Sequence, residues 1–221
     1  MNYNNVFLGK FIDRPNRFIA HVLVEGKEET VHVKNTGRCK ELLLPGVEVA
    51  LEKSDNPDRK TQYDLIAVYK EGLGWVNIDS QLPNALVKEW LESGNSCFEN
   101  ITLLKPEYTY GKSRIDFYLE CGERKIFIEV KGCTQEFENR GYFPDAPTER
   151  GVKHLRELQG ALLEGYECYI AFVITMPKVK SVLPNREIHP EFGEEYDRAI
   201  AKGVKVLNLA CQVEPSEVRI F

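Results

Sequence analysis

The sequence lacks any cysteine pattern that would build a zinc site or a disulfide framework. Its six cysteines lie at positions 39, 97, 121, 133, 168 and 211, and no two of them form a CxxC pair. In a chain of 221 residues this spacing is typical of neither kind of site. Free thiols in a reducing compartment are the simpler interpretation, so we expect a cytoplasmic protein.

Long apolar runs, internal repeats and low-complexity tracts are also absent. The N-terminus has no basic segment followed by an apolar core, and no apolar run approaches membrane-spanning length. We therefore expect no membrane partner. Hydrophobic residues make up 43% and charged residues 29% of the chain, which indicates a globular fold of one large domain or two small ones.

The sequence also lacks an excess of positive charge. The formal net charge is −5, which argues against binding nucleic acid through a uniformly basic surface, although a local basic patch is compatible with it. Carboxylates that hold a metal would themselves add to the negative count. Function must therefore depend on particular groups of side chains rather than on the overall charge.

Residues 113–131 show the clearest pattern that is present, two alternating apolar runs around a turn. Positions 115, 117 and 119 share one face of the first run, and positions 126, 128 and 130 share one face of the second. Period-2 alternation around a glycine-containing turn predicts a β-hairpin. A two-residue turn at Gly122 and Glu123 sets a register in which Asp116 lies directly opposite Glu129.

This register brings together groups that suit a divalent metal. Opposed carboxylates, with Cβ atoms roughly 4.5–5.5 Å apart, repel each other unless a cation lies between them. Carboxylate oxygens suit Mg²⁺ or Mn²⁺, and Lys131 projects from the same face about 6.6 Å further on, where it could orient or deprotonate a water. Asp116, Glu129 and Lys131 form the D…ExK arrangement of PD-(D/E)XK nucleases. A hairpin with one solvated polar face is the alternative, and the motif alone is weak.

Residues 1–80 are expected to form short strands separated by turns. The candidate strands cover residues 6–8, 18–24, 29–33, 47–52, 63–69 and 75–78, with no long helix among them. This pattern favours a small OB-like β-barrel, with a sandwich as the second choice. OB barrels commonly bind single-stranded nucleic acid.

A loop in this half combines flexible residues with cations. It contains Lys34, Asn35, Thr36, Gly37 and Arg38. Such a composition is typical of a turn that holds phosphate. A simple connection with solvated charges is the alternative.

Residues 81–221 are expected to form an α/β domain with a mixed sheet. The pattern predicts a helix over 85–92 capped by Asn84, strands over 101–104 and 108–110, the hairpin, a helix ending near 164, a buried strand over 168–175, a helix over 191–202 and a strand over 204–209. Residues 132–141 and 176–189 read as connections.

Further charged residues flank the predicted metal site. Glu107, upstream of the hairpin, either approaches the same metal or lies on the surface. Arg150, Lys153 and His154 lie together on the second helix, where they could contact phosphate, unless that face is simply wet. Arg114, beside the hairpin motif, is a further candidate for binding nucleic acid.

Several motifs in fixed order resemble the sugar fermentation stimulation protein A (SfsA) family over nearly the whole chain. They are Ser113-Arg114-Ile115-Asp116-Phe117, Ile128-Glu129-Val130-Lys131, Gly141-Tyr142-Phe143-Pro144-Asp145-Ala146, Thr148-Glu149-Arg150-Gly151, Lys153-His154-Leu155 and Glu157-Leu158. The resemblance implies an N-terminal OB-fold domain over residues 1–80 and a C-terminal nuclease-like domain over residues 81–221.

The same resemblance implies roles for single residues. Asp116, Glu129 and Lys131 match the catalytic set, and Glu107 matches an upstream acidic position. Residues 35–37 match the family's Asn-Thr-Gly loop, but Lys34 stands where the family usually has proline. The geometry of the entry to this loop is therefore open.

Two hypotheses of function follow. The first is a metal-dependent nuclease that hydrolyses phosphodiester bonds in DNA or RNA. The second is a non-catalytic DNA-binding regulator that affects sugar metabolism genes. A sugar-binding protein has no support beyond the family's name. The sequence leaves the oligomeric state, monomer or homodimer, undecided.

Overall fold

The first six strands of the chain form one curved sheet in a computed structural model that describes residues 1–35 and 37–221. The strands are β1 (Val6–Asn16), β2 (Ile19–Val24), β3 (Lys27–Val33), β4 (Glu48–Lys53), β5 (Tyr63–Lys70) and β6 (Gly74–Asn77). Their order is β3-β2-β1-β4-β5-β6, and a parallel pair between β3 and β5 closes five of them into a barrel. The predicted OB barrel is confirmed.

The alternation of residue types determines which side of these strands faces the barrel interior. On β2, Ala20, Val22 and Val24 are buried, whereas Leu23 between them is exposed. A period of two along each strand places one set of side chains inside a closed barrel.

The rest of the chain builds a six-stranded mixed sheet, β15-β14-β12-β9-β8-β7, and a small sheet, β10-β11-β13. The elements in chain order are α1 (Leu82–Glu92), β7 (Ile101–Tyr110), β8 (Ser113–Cys121), β9 (Arg124–Cys133), β10 (Gln135–Phe137), β11 (Arg140–Phe143), α2 (Glu149–Leu163), β12 (Glu167–Ile174), β13 (Val182–Pro184), α3 (Pro190–Lys202), β14 (Lys205–Val213) and β15 (Val218–Ile220). Strands β9, β12 and β14 are parallel, and β7, β8 and β15 run antiparallel to their neighbours. The predicted mixed sheet is confirmed.

Helices cover both faces of the large sheet. Apolar residues of α2 and α3 pack on one face, and those of α1 pack on the other, where Leu86 meets the cluster that contains Phe117. Strand β12 lies between β9 and β14 and is buried along almost its whole length. A near-continuous apolar run is what a doubly covered central strand requires.

Four features of this half differ from the sequence-based expectation. Residues 132–141 and 176–189 contain β10, β11 and β13, because strands of three or four residues leave no periodic pattern to read. Residues 101–110 form a single strand, since Pro106 lies on the edge strand β7, where a missing amide hydrogen costs little. Ile115 packs on the face covered by α2 and α3, whereas Phe117 packs on the face covered by α1, so the alternation breaks at Asp116. Helix α1 starts at Leu82, not at residue 85.

The six cysteines carry free thiols, as predicted, and all but Cys97 are buried. Across residues 1–35 and 37–221, helix length and hydropathy never combine to the extent that a membrane-spanning segment requires.

Candidate functional site

The site begins where the two strands of the central hairpin separate. Antiparallel pairing of β8 with β9 runs from the turn to Phe117–Ile128, in the predicted register. At the next position the Asp116 side chain replaces the backbone pairing, because its Oδ2 accepts a hydrogen bond from the amide of Val130 at 2.7 Å. The carboxylate is thereby fixed against β9, the strand that carries Glu129.

Asn84 holds the other oxygen of Asp116. Its Nδ2 donates to Asp116 Oδ1 at 2.9 Å. Asn84 was expected to cap α1, but the helix begins at Leu82, with Gln81 at the N-cap position and no side-chain cap. Proline is tolerated in the first turn of a helix, so Pro83 allows this earlier start. The partnership of residues 84 and 116 has no signal in the sequence.

Glu129 is the most deeply buried acid of the site, with 1% of its surface exposed. Its Oε1 accepts hydrogen bonds from Lys131 Nζ at 2.5 Å and from His154 Nδ1. Its Oε2 is buried and has no partner among the described residues. An unpaired buried carboxylate oxygen is costly, so its presence calls for a cation or a water at that position.

His154 supports Glu129 from α2. The Nε of Arg150 donates to His154 Nε2 at 3.3 Å, and the shortest contact of Nδ1 is with the accepting Glu129, although Lys131 Nζ also lies 3.3 Å from it. Nε2 is therefore the acceptor, and the neutral ring carries its proton on Nδ1. That proton points to Glu129. His154 is 4% exposed, so its ring orients the carboxylate rather than facing solvent. Its predicted contact with nucleic acid stays a prediction.

The two carboxylates have opposite pKa shifts. Burial and the nearby charge of Glu129 raise the pKa of Asp116. Burial also acts against ionisation of Glu129, but the charge of Lys131 and the hydrogen bond from His154 outweigh it and lower its pKa. The pair therefore combines a firmly ionised acid with one whose ionisation is disfavoured until positive charge is added.

Other predicted site residues occupy the rim of this centre. Glu107 is exposed, and its Oε2 accepts from the equally exposed Arg114 at 3.0 Å. The structure therefore pairs Glu107 with Arg114 on the surface. Lys153 is exposed and donates to Ser113 Oγ at 2.7 Å, at the start of β8. Glu107 as a metal ligand, and Arg114 and Lys153 as contacts of nucleic acid, stay predictions.

Lys34 points into a cluster of acids on the barrel. Its Nζ lies 3.4 Å from Asp64 and 3.5 Å from both Glu52 and Asp79. A phosphate would have to compete with all three carboxylates for this ammonium. Its predicted role in binding nucleic acid is therefore unsupported by its contacts and stays a prediction.

Asn35 and Arg14 fix the described residues of the loop at residues 34–38, which are 34, 35, 37 and 38. The Asn35 side chain donates to the carbonyl of Ile78 at 2.8 Å and accepts from the amide of Gly37 at 2.7 Å. The guanidinium of Arg14 donates to four carbonyl oxygens, those of Arg17, Asn35, Gly37 and Arg38. The predicted contact of Thr36 lies outside the described residues. Arg14 was missed because its partners are backbone atoms.

A cleft lies between this loop and the two residues that hold the Asp116 carboxylate, Asn84 and Val130. It has a volume of about 210 Å³, and its lining includes Asn35, Gly37, Asn84, Val130 and Asp145. Gly37 allows the close contact, since a Cβ there would come within 2.6 Å of Asp145 Oδ2. The barrel loop and the hairpin, far apart in sequence, therefore border one cavity.

A second group of possible metal ligands lies at the start of α2 and α3. Ligand atoms of Glu149, His189 and Glu191 lie within 4.8 Å of one another. His189 Nδ1 accepts from the amide of Thr148 at 3.2 Å, so the neutral ring keeps its proton on Nε2, towards Glu149. Residues outside the group hold two of its members, since Thr148 donates to His189 and Arg156 donates to Glu191.

The fold and site define a five-stranded OB barrel packed on a mixed sheet, with an Asp…Glu-x-Lys cluster where the sheet's central hairpin opens. Two family models match the chain: SfsA N-terminal OB domain over residues 12–78 and sugar fermentation stimulation protein RE domain over residues 81–217. The chain belongs to the sugar fermentation stimulation protein (SfsA) family.

Individual relatives agree with this assignment. A sugar fermentation stimulation protein homolog from Ruminiclostridium cellulolyticum is 55% identical over 220 residues, covering 100% of this chain and 96% of its own length. Another, from Desulfitobacterium hafniense, is 53% identical and covers 99% of this chain and 94% of its own. The structure of Pyrococcus furiosus SfsA in complex with Ca²⁺ is 27% identical, with a TM-score of 0.89 over 100% of this chain and 95% of that one.

Proposed function

We propose that this protein is a cytoplasmic, divalent-metal-dependent nuclease that hydrolyses phosphodiester bonds in DNA or RNA. Residues 81–221 form the catalytic domain of this proposal, and residues 1–80 form its nucleic-acid-binding domain. Asp116 and Glu129 hold Mg²⁺ or Mn²⁺, and Lys131 acts on the attacking water. Glu107 remains a candidate third ligand on the rim.

One observation carries the proposal, the buried Glu129 Oε2 that has no partner in the described part of the chain. A cation bound there and to Asp116 would satisfy that oxygen and offset both the burial and the repulsion by Glu129 that raise the pKa of Asp116. The oxygen donor set fits a hard divalent ion. The Ca²⁺ in the related Pyrococcus furiosus structure supports the presence of such a site in the family.

A divalent ion in this position would polarise a phosphoryl oxygen and lower the pKa of a bound water. Lys131 uses one of its three hydrogens on Glu129, so two remain for a water or a phosphate oxygen. Arg150 engages His154 through Nε alone, which leaves its terminal nitrogens free to reach phosphate. Asn84 and the Val130 amide keep the Asp116 carboxylate in place throughout.

The decisive experiment is a cleavage assay with Mg²⁺ or Mn²⁺ on supercoiled plasmid, single-stranded DNA and RNA. We expect Asp116→Asn to lower the cleavage rate by about 10³-fold and Lys131→Ala by about 10²-fold. Glu123→Gln is the matched control, because this exposed acid lies at the turn end of the same hairpin. All variants should come from the same purification, so that a contaminating nuclease gives equal rates.

Cleavage by wild type and Glu123→Gln alone would establish the enzyme and its substrate. Binding of DNA by all four proteins without metal-dependent cleavage would favour the non-catalytic regulator instead. Global unfolding of Asp116→Asn would assign that carboxylate a structural role.

A further inference from the structure

A second, larger groove lies on the barrel side of the loop at residues 34–38. It has a volume of about 760 Å³, and its lining includes Arg14, Arg17, Gly37, Arg38 and Lys40. Gly37 also lines the cleft beside the carboxylate pair, and Ala146 in the groove directly follows Asp145 in the cleft. The two cavities therefore share a wall at Gly37 and at residues 145 and 146.

The groove is basic although the protein is acidic. Arg17, Arg38 and Lys40 are exposed, and none of the ion pairs formed by residues 1–35 and 37–221 includes them. The one acid in the lining, Asp13, accepts from His21 Nδ1 at 2.7 Å. In a chain with net charge −5, three unpaired cations along one groove indicate a polyanionic ligand.

An aromatic ring lies beside one of these cations, Arg17. Phe18 is 51% exposed, and the guanidinium carbon of Arg17 lies 5.9 Å from its ring centroid. A large exposed ring next to cations is the combination on which unpaired bases stack while the cations hold their phosphates. Bases within a duplex are stacked on each other and do not offer a free face to such a ring.

The wall shared by the two cavities is tightly packed. At the junction, Gly37 approaches Asp145 so closely that a Cβ would meet its carboxylate at 2.6 Å. Arg14 fixes this wall through the carbonyls of Asn35, Gly37 and Arg38, and its Nε is buried without a partner in the described part of the chain. A nucleic acid that runs from the groove to the cleft would therefore follow a fixed wall.

We propose that this groove binds a short single-stranded segment of the nucleic acid whose scissile phosphate lies at the carboxylate pair. Arg17, Arg38 and Lys40 hold its phosphates, and Phe18 stacks on a base. The inference rests on the proposed nuclease function and adds that the substrate is single-stranded on the barrel side.

The test measures binding in EDTA, where no metal-dependent cleavage occurs, by fluorescence anisotropy of a labelled 12-nucleotide strand and of a duplex of the same sequence. The double variant Arg17→Glu/Lys40→Glu should bind the strand at least about 10-fold more weakly, with a salt dependence reduced by about 1.4 in log–log slope. Phe18→Ala should weaken it about 5-fold or more without changing that slope. Lys27→Glu, an exposed cation elsewhere on the barrel, is the control and should bind like wild type.

Unchanged affinity of both variants for the strand would overturn the inference while leaving the nuclease proposal intact. Equal losses for strand and duplex, with Phe18→Ala neutral, would also overturn it, because the groove would then hold duplex phosphates. A wild-type protein that binds no nucleic acid would refute the proposed function itself.

Discussion

Two pairs of carboxylates lie close together on neighbouring strands of this protein, and their charges are compensated differently. In the barrel, β4 and β5 place Glu52 opposite Asp64. In the second half, the opening of β8 from β9 brings Asp116 towards Glu129. Like charges opposed on a sheet are destabilising, so each pair needs a compensating cation.

In the barrel, the compensating cation is a side chain of the protein itself. Lys34 Nζ lies 3.5 Å from Glu52 and 3.4 Å from Asp64, and Arg59 binds Asp64 through two nitrogens. Burial works against ionisation of Asp64, but the hydrogen bonds from Arg59 and His32 and the charge of Lys34 lower its pKa. No buried oxygen of this cluster is left without a partner among the described residues.

At the hairpin, the protein's own side chains compensate the carboxylate charges only in part. Lys131 and His154 both donate to the same oxygen of Glu129, so Oε2 has no partner among the described residues. Burial and the nearby charge of Glu129 raise the pKa of Asp116. Two facing carboxylates are therefore not in themselves the mark of a metal site. The distinguishing mark is a deficit of positive charge that the chain does not fill.

The largest expected effect comes from a substitution that disrupts the barrel cluster. Lys34→Met removes the shared cation at nearly constant side-chain length, and losing one partner of a buried ion pair costs about 3 kcal/mol. We expect the melting temperature to fall by about 6–12 °C, measured by calorimetry. Lys27→Met, at an exposed site without an ion pair, is the control. A stable variant that binds nucleic acid poorly would instead support the predicted phosphate contact of Lys34.

The second prediction concerns the deficit at the hairpin. Saturating Ca²⁺ or Mg²⁺, at 100 times the dissociation constant, should stabilise wild type by about 2.7 kcal/mol relative to EDTA. Asp116→Asn should lose this gain and be more stable than wild type in EDTA by about 0.5 kcal/mol, because the repulsion is relieved. Asp64→Asn should keep the full gain from metal. Equal gains in all three proteins would place the ion elsewhere.

The sequence predicted the fold well because its strands carry strong periodic patterns. The hairpin register followed from one turn, and the barrel followed from strand and turn spacing. Strands β10, β11, β13 and β15 escaped because so few residues cannot show a period. The start of α1 was misplaced since a helix accepts proline in its first turn.

The site was less predictable because its contacts join residues far apart in the chain. The carboxylates and Lys131 could be paired from local register alone. The bond from Asn84 to Asp116, the bond from His154 to Glu129 and the ion pairs of Lys34 depend on tertiary packing. A cation beside a flexible loop predicts a phosphate contact equally well whether its side chain turns outward or inward.

A smaller effect tests His154 as a positioning residue. Its Nδ1–H orients the Glu129 carboxylate, and loss of such a support typically lowers metal affinity about 10-fold. His154→Leu should show this loss in calorimetric titration with Ca²⁺, whereas His154→Asn, which can donate from a similar position, should restore affinity. Equal affinities in both variants would indicate that the ring only fills space.

The smallest effect is a difference in pH dependence between the two clusters. The folded-state pKa of Asp64 is lowered, so its contribution to stability is present above the unfolded value near 4 and is lost as the pH falls through the folded value. The pKa of Asp116 is raised, so its ionisation costs stability as the pH rises from about 4 through the folded value. In urea titrations with EDTA, Asp64→Asn should flatten the acid limb of the stability curve, and Asp116→Asn should remove a decline towards neutral pH. Parallel curves for the two variants would mean that the clusters are electrostatically alike, and the distinction between an internally balanced cluster and a metal-requiring one would fail.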